Sequence, residues 1–158
     1  MKRQMRWLGF GAIAVVSALG SLALAEQGDD GHRGGGRSEF SNWSIKGHWG
    51  YNSSFGQLLP PTVPEPLPFV GMGRIYFDGR GGCEVSALGN LNGQTIPSTS
   101  SSCTYTVNPD GTGTSDAVFP GTPISGPIPV AFVIVDGGRE IRFMNTKYIV
   151  GTFTARRQ

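Results

Sequence analysis

The sequence predicts an all-β domain, an eight-stranded antiparallel barrel joined mostly as a meander, with a two-sheet sandwich as the alternative. Three observations predict it. From Phe40 onward, apolar and polar residues alternate in short runs, and no stretch holds a 3.6-residue amphipathic pattern over a dozen residues. Four dipeptides that supply the positive φ angles of tight hairpins, Asp78-Gly79, Asn92-Gly93, Asp110-Gly111 and Asp136-Gly137, stand between those runs. The 25 Gly and 11 Pro are too many for a helical domain and suit frequent turns.

Before that domain comes an export signal. Lys2, Arg3 and Arg6 precede an uncharged, mostly apolar run from Trp7 to Leu22, and Ala23-Leu24-Ala25 is a small-x-small cleavage box. Residues 1–25 are therefore expected to be removed, leaving no stable membrane anchor. Export would place the mature chain in the periplasm or outside the cell. Cleavage takes away three of the 13 Lys and Arg, so ten remain against 11 Asp and Glu, and the net charge falls from +2 to −1. A near-neutral chain without a basic stripe offers no footprint for nucleic acid. On this reading the terminal Arg156-Arg157 is a solvated tail. Residues 26–39, Gly-rich and charged, have nothing to bury and read as a flexible leader. Its His32 has no neighbouring ligand. Residues 40–158 then form a single domain.

The strands are expected near 46–55, 70–78, 82–90, 98–107, 112–119, 127–136, 138–145 and 147–155. Eight is the number at which an antiparallel sheet can close and hide its edges. The Pro-rich segment Gln57 to Phe69 is the one long break in the meander. Its Pro61-Thr-Val-Pro64 has the PxxP shape of a polyproline ligand, but a stiff loop across the barrel mouth accounts for it equally. A second loop runs from Pro120 to Pro127. The run Pro129 to Val135 is apolar on both faces, so its outer face is either covered or meets a second copy, a homo-oligomer through strand 127–136.

The two cysteines of an exported chain are first asked whether they pair. Cys83 and Cys103 are symmetric about residue 93, so the Asn92-Gly93 turn would set them opposite each other. The bridge would close a loop of about 21 residues and stabilise the fold by about 3 kcal/mol. A thiol pair for metal or catalysis would want more company than His48, the other His of the leaderless chain.

Alternation also sorts the side chains by face. Inward positions include Trp49, Tyr51, Ile75, Phe77, Val85, Tyr105, Phe132, Ile141, Phe143 and Asn145, an apolar and aromatic set with a few amide and phenol groups. Glu84, Glu140 and Arg142 are sent outward, which leaves the interior poor in acid–base groups. That interior would bind a small apolar ligand. A structural or protein-interaction domain is the alternative, and a cyclase or isomerase of an apolar substrate the third reading. No cofactor and no metal are expected. Asn108-Pro-Asp-Gly-Thr-Gly-Thr114 is oxygen-rich like a calcium loop but lacks its later Glu. The glycines of Gly71-Met-Gly-Arg74 and Gly79-Arg-Gly-Gly82 are not followed by the helix a phosphate loop needs.

Taken in order, Gly47-His-Trp-Gly-Tyr51, Gly73-Arg-Ile-Tyr-Phe-Asp-Gly79, Tyr105-Thr-Val-Asn-Pro-Asp-Gly-Thr-Gly113 and Val133-Ile-Val-Asp-Gly-Gly-Arg-Glu-Ile141 resemble the allene oxide cyclase barrel-like, lipocalin-like family, which includes exported bacterial proteins. The resemblance spans roughly residues 44–156 and rests on turn and strand signatures. It implies the barrel and an apolar cavity. In the plant cyclases a glutamate and a water-holding polar cluster at one barrel end serve an unsaturated fatty-acid epoxide. The first-strand stretch Ile45 to Phe55 has no acidic residue to match that glutamate.

Overall fold

A computed structural model describes residues 39–158. The expected export signal and all but the last residue of the leader, His32 included, lie outside the described residues. A 3-10 turn, Asn42–Ile45, is followed by nine strands: β1 (Gly47–Leu58), β2 (Leu67–Phe77), β3 (Cys83–Leu91), β4 (Gln94–Thr99), β5 (Ser102–Val107), β6 (Thr112–Val118), β7 (Ile128–Val135), β8 (Glu140–Asn145) and β9 (Ile149–Arg157). All nine pair antiparallel in one curled sheet of order β4-β3-β2-β1-β9-β8-β7-β6-β5, so the barrel-like arrangement forms and the two-sheet alternative does not. First and last strands meet through pairs such as Tyr51↔Ala155.

The ninth strand comes from dividing one expected strand, 98–107, in two. Asn92 (φ 48°) and Gly93 (φ 87°) make the two-residue turn the dipeptide foretells. It sets a β3–β4 ladder centred between them, from Leu91↔Gln94 to Ser86↔Thr99. At Ser100 the strand still serves β3, since its N–H donates to Val85 O at 2.9 Å and its Oγ accepts the Val85 N–H at 2.9 Å. One residue later the Ser101 N–H donates to Val118 O at 2.8 Å, and the chain has changed partner to β6.

This step inserts one residue into the register. Beyond it the pairing is centred on Gly93 itself, with the bridge Gly82↔Thr104 and the disulfide Cys83–Cys103, whose Cα atoms are 4.9 Å apart. Without the inserted residue Cys83 would face Ser102 and Cys103 would point outward, because a one-residue slip flips every side chain. Together with Tyr105 N–H donating to Gly81 O at 2.9 Å, the disulfide joins the two ends of the sheet along the β3–β5 seam.

One end of the curled sheet is plugged. Trp49 and Ile45 are fully buried there among Phe77, Tyr105, Ile134, Ile141 and Ala155. The 3-10 turn is held on this end by Trp49 Nε1 donating to Ile45 O at 2.8 Å, and by Asn42 Oδ1 accepting the Val107 N–H at 2.8 Å. Arg157 fastens it from outside. Its guanidinium donates to Ser44 O (2.8 Å) and Lys46 O (2.7 Å) and lies 4.8 Å from the Trp49 ring centroid. The terminal arginine pair is therefore part of β9 and not a solvated tail, because the strand continues to the carbonyls of the turn.

The other end is covered by loops. Strands β1 and β2 run further than alternation implies, so the Pro-rich connection shrinks to residues 59–66. Val63, inside the Pro61–Pro64 stretch, is buried with Leu58, Ile124, Ile128, Ile149 and Phe153, so the stretch packs onto the barrel end.

Glu140 takes the expected outward position, opposite Val135 and Arg156, and its carboxylate is buried there beneath two arginines. Arg142 Nε donates to Oε1 at 2.9 Å and the Arg156 guanidinium to Oε2 at 3.0 Å, and the Arg142 hydrogen bond leads in holding its pKa below the ordinary carboxylate value. Asp110, in the oxygen-rich turn, spends its Oδ1 on the Thr112 N–H and hydroxyl, the arrangement of a hairpin.

Candidate functional site

Between plug and loops lies a cavity of about 170 Å³. Its existence follows from which residues point inward. On β3, β4 and β6 the inward positions include Ala87, Gly89, Ser98, Ser115 and Ala117, whose small side chains leave room between Ile75, Val85 and Ile96, while the Phe69 ring lies over Gly71 and Gly89. The opposite wall is aromatic. Phe143 and Phe153 stack at 5.0 Å with 10° between planes, and Tyr51 meets Phe143 edge-on at 5.8 Å.

Strand β4 ends the sheet order, so its outer edge has no ladder partner. Ile96 and Ser98 of β4 line the cavity, as do Phe119, Thr122 and Ile124 of the segment that follows β6. Because the strand swaps partners at Ser100 and Ser101, backbone hydrogen bonds close the plugged half of the seam, and β4 has no ladder across the other half. The edge carries Pro97, opposite Leu88 in the ladder. Counting from the two-residue turn, that pair is a non-hydrogen-bonded one, so the N–H that proline lacks would have pointed away from β3, at the free edge.

Of the ten residues expected to form a ligand site, Tyr51, Ile75, Phe77, Val85, Phe132, Ile141, Phe143 and Asn145 line this cavity. Trp49 and Tyr105 do not. Both point inward but at the height of the plug, where the Tyr105 hydroxyl accepts the Gly79 N–H at 2.9 Å and donates to Asn42 O at 3.1 Å. Alternation tells face, not height. The same limit hid Phe69, Leu91, Ile96, Ile149 and Phe153, which complete the walls. The readable signal for Phe69 was the pair Gly71 and Gly89 on neighbouring strands, which leaves the space that its ring fills.

The cavity's chemistry is sparse. None of its lining residues is an acid, an imidazole, a lysine or an arginine. Burial pushes the Tyr51 phenol up to about 12, so it stays protonated near neutral pH. Ser115 Oγ lies 4.0 Å from each sulfur of the disulfide. Asn145, 9% exposed, has an Oδ1 without a hydrogen-bond partner among the described residues.

Neither a family model, nor a curated protein, nor a solved structure matches this chain.

Proposed function

We propose that this chain is an exported binding protein that takes a small apolar molecule into the barrel. The observation that carries the reading is the apolar cavity of about 170 Å³, with small residues such as Ala87 and Ser115 on one wall and stacked aromatics on the other. An apolar cavity of roughly 150 Å³ is enough to stay dry and take up a benzene-sized guest. The guest is therefore a one-ring molecule, or the end of a longer one that enters beside β4. Export is supported by the amino-terminal signal pattern and by the Cys83–Cys103 disulfide, which an oxidising compartment would preserve. The resemblance to the allene oxide cyclase barrel-like family supports a barrel that holds an apolar molecule. Catalysis is the weaker reading, because the lining offers no pair of groups to hand a proton on and take it up near neutral pH.

Toluene is the probe of choice. In a methyl and aromatic NMR titration it is expected to bind saturably with a Kd of about 1 mM or tighter, well inside the ceiling for so few heavy atoms. The shifts should centre on Ile75, Val85, Ile96 and Phe143. Ala87→Leu places a branched side chain into the same space, so it should abolish the shifts while leaving the melting temperature unchanged or higher. Toluene binding that survives Ala87→Leu, or no binding to the unmodified chain, would overturn the proposal.

A further inference from the structure

We infer that Phe69 fixes the length of the guest, limiting this cavity to a compact one-ring molecule and shutting out a chain that would run on between β2 and β3. The inference rests on the reading of the cavity as a ligand site and says which molecules that site accepts. Gly71 of β2 and Gly89 of β3 are ladder partners, and both line the cavity. A glycine inside a strand weakens it, so each needs a reason. Backbone conformation is not the reason, since neither glycine lies in the left-handed region. The ring of Phe69 is. A Cβ added at Gly71 would stand 3.3 Å from Phe69 Cζ, and one added at Gly89 would stand 3.1 Å from Phe69 Cε2, so the ring lies across both backbones.

That arrangement makes one boundary of the cavity a single side chain. Positions 71 and 89 could have filled the space themselves, as Ile75 and Val85 do further along the same two strands. Instead one half-buried ring, tethered at position 69 opposite Leu91 and packed against the loop-end cluster, reaches back over both glycines. Phe69 is thus a spacer that acts by occupying room and not by polar contact. With the ring removed, two backbones without side chains form the floor, and the vacated phenyl volume exceeds that of a few methylenes. The walls around that room include Leu58, Leu91 and Phe153, so a chain placed there would be buried among apolar groups.

The test compares the dissociation constants of toluene and butylbenzene on the full mature chain and on Phe69→Ala. In the unmodified protein butylbenzene should gain less than about tenfold over toluene, because its added methylenes find no buried place. In Phe69→Ala it should bind on the order of fiftyfold more tightly than toluene, the gain from burying three further methylenes. The Gly71 and Gly89 amide resonances of the variant should also move further for butylbenzene than for toluene. A substitution that only loosened the fold would weaken both guests alike and leave their ratio alone. If Phe69→Ala does not fold, Phe69→Leu, which keeps an apolar side chain but cannot cover both glycines, should move the ratio in the same direction. A preference for butylbenzene of about tenfold or more in the unmodified chain, or an unchanged ratio in the folded variant, would overturn the inference and leave the apolar cavity standing. Failure of toluene itself on the unmodified chain would overturn both.

Discussion

Trp49→Ala is expected to destabilise the fold by about 3–5 kcal/mol, the range for removing a large aromatic from a core. Trp49 is fully buried and is the largest side chain so placed. Its ring packs edge-on to Phe77 at 6.5 Å and its indole N–H satisfies the Ile45 carbonyl at 2.8 Å. It is also the surface on which Arg157 lies, so its loss frees the 3-10 turn from both sides. Against a typical net stability of about 5–15 kcal/mol the loss is large. Urea unfolding checks it. Trp49→Phe should recover most of the stability and lack the indole hydrogen bond, whereas a loss below about 1 kcal/mol for Trp49→Ala would contradict the plug described here.

Breaking the disulfide is the second large effect. The Cys83→Ser/Cys103→Ser double variant, or reduction of the unmodified chain, should cost about 3 kcal/mol in the chain-entropy account of a loop this long. For a domain of this size that is a fall of about 10 °C in Tm. The seam gives a local reason to expect the full effect. Between β3 and β5 the backbone supplies only the Gly82↔Thr104 bridge and the Tyr105-to-Gly81 hydrogen bond near the cysteines, so the covalent link carries much of the closure. Hydrogen exchange should then rise first at Val85, Ser101 and Tyr105. Equal protection in the oxidised and reduced protein would show that the seam holds without its disulfide.

Much of this fold was legible because each strand has one buried face and each hairpin carries its own turn chemistry. The eight expected strands lie within a few residues of those observed, apart from the division at Ser100-Ser101. That division was not legible. Ser98 to Ser102 is uniformly small and polar, so nothing in its pattern distinguishes a ladder centred between Asn92 and Gly93 from one centred on Gly93. The cysteines are brought together because the strand uses the first centre and then, after one inserted residue, the second.

The site was half legible for a related reason. Period-two patterning separates Tyr51 and Phe143 from outward neighbours but assigns no position along the barrel axis, so Trp49 and Tyr105 looked equivalent to them. Glu140 escaped in the opposite sense. Its outward position was readable, and its burial depends on Arg142 across one strand position and Arg156 across the ladder, a three-residue arrangement that alternation does not encode.

Between the plug and the loops the interior is apolar space and not a filled core. Diffraction from a crystal pressurised with xenon tests it most directly, because xenon occupies dry apolar cavities of this size. The structure predicts one strong site bounded by Ile75, Ile96, Phe143 and Phe153, absent in Ala87→Leu. No xenon there, with Phe143 and Phe153 packed against Ala87 and Ile96, would contradict it.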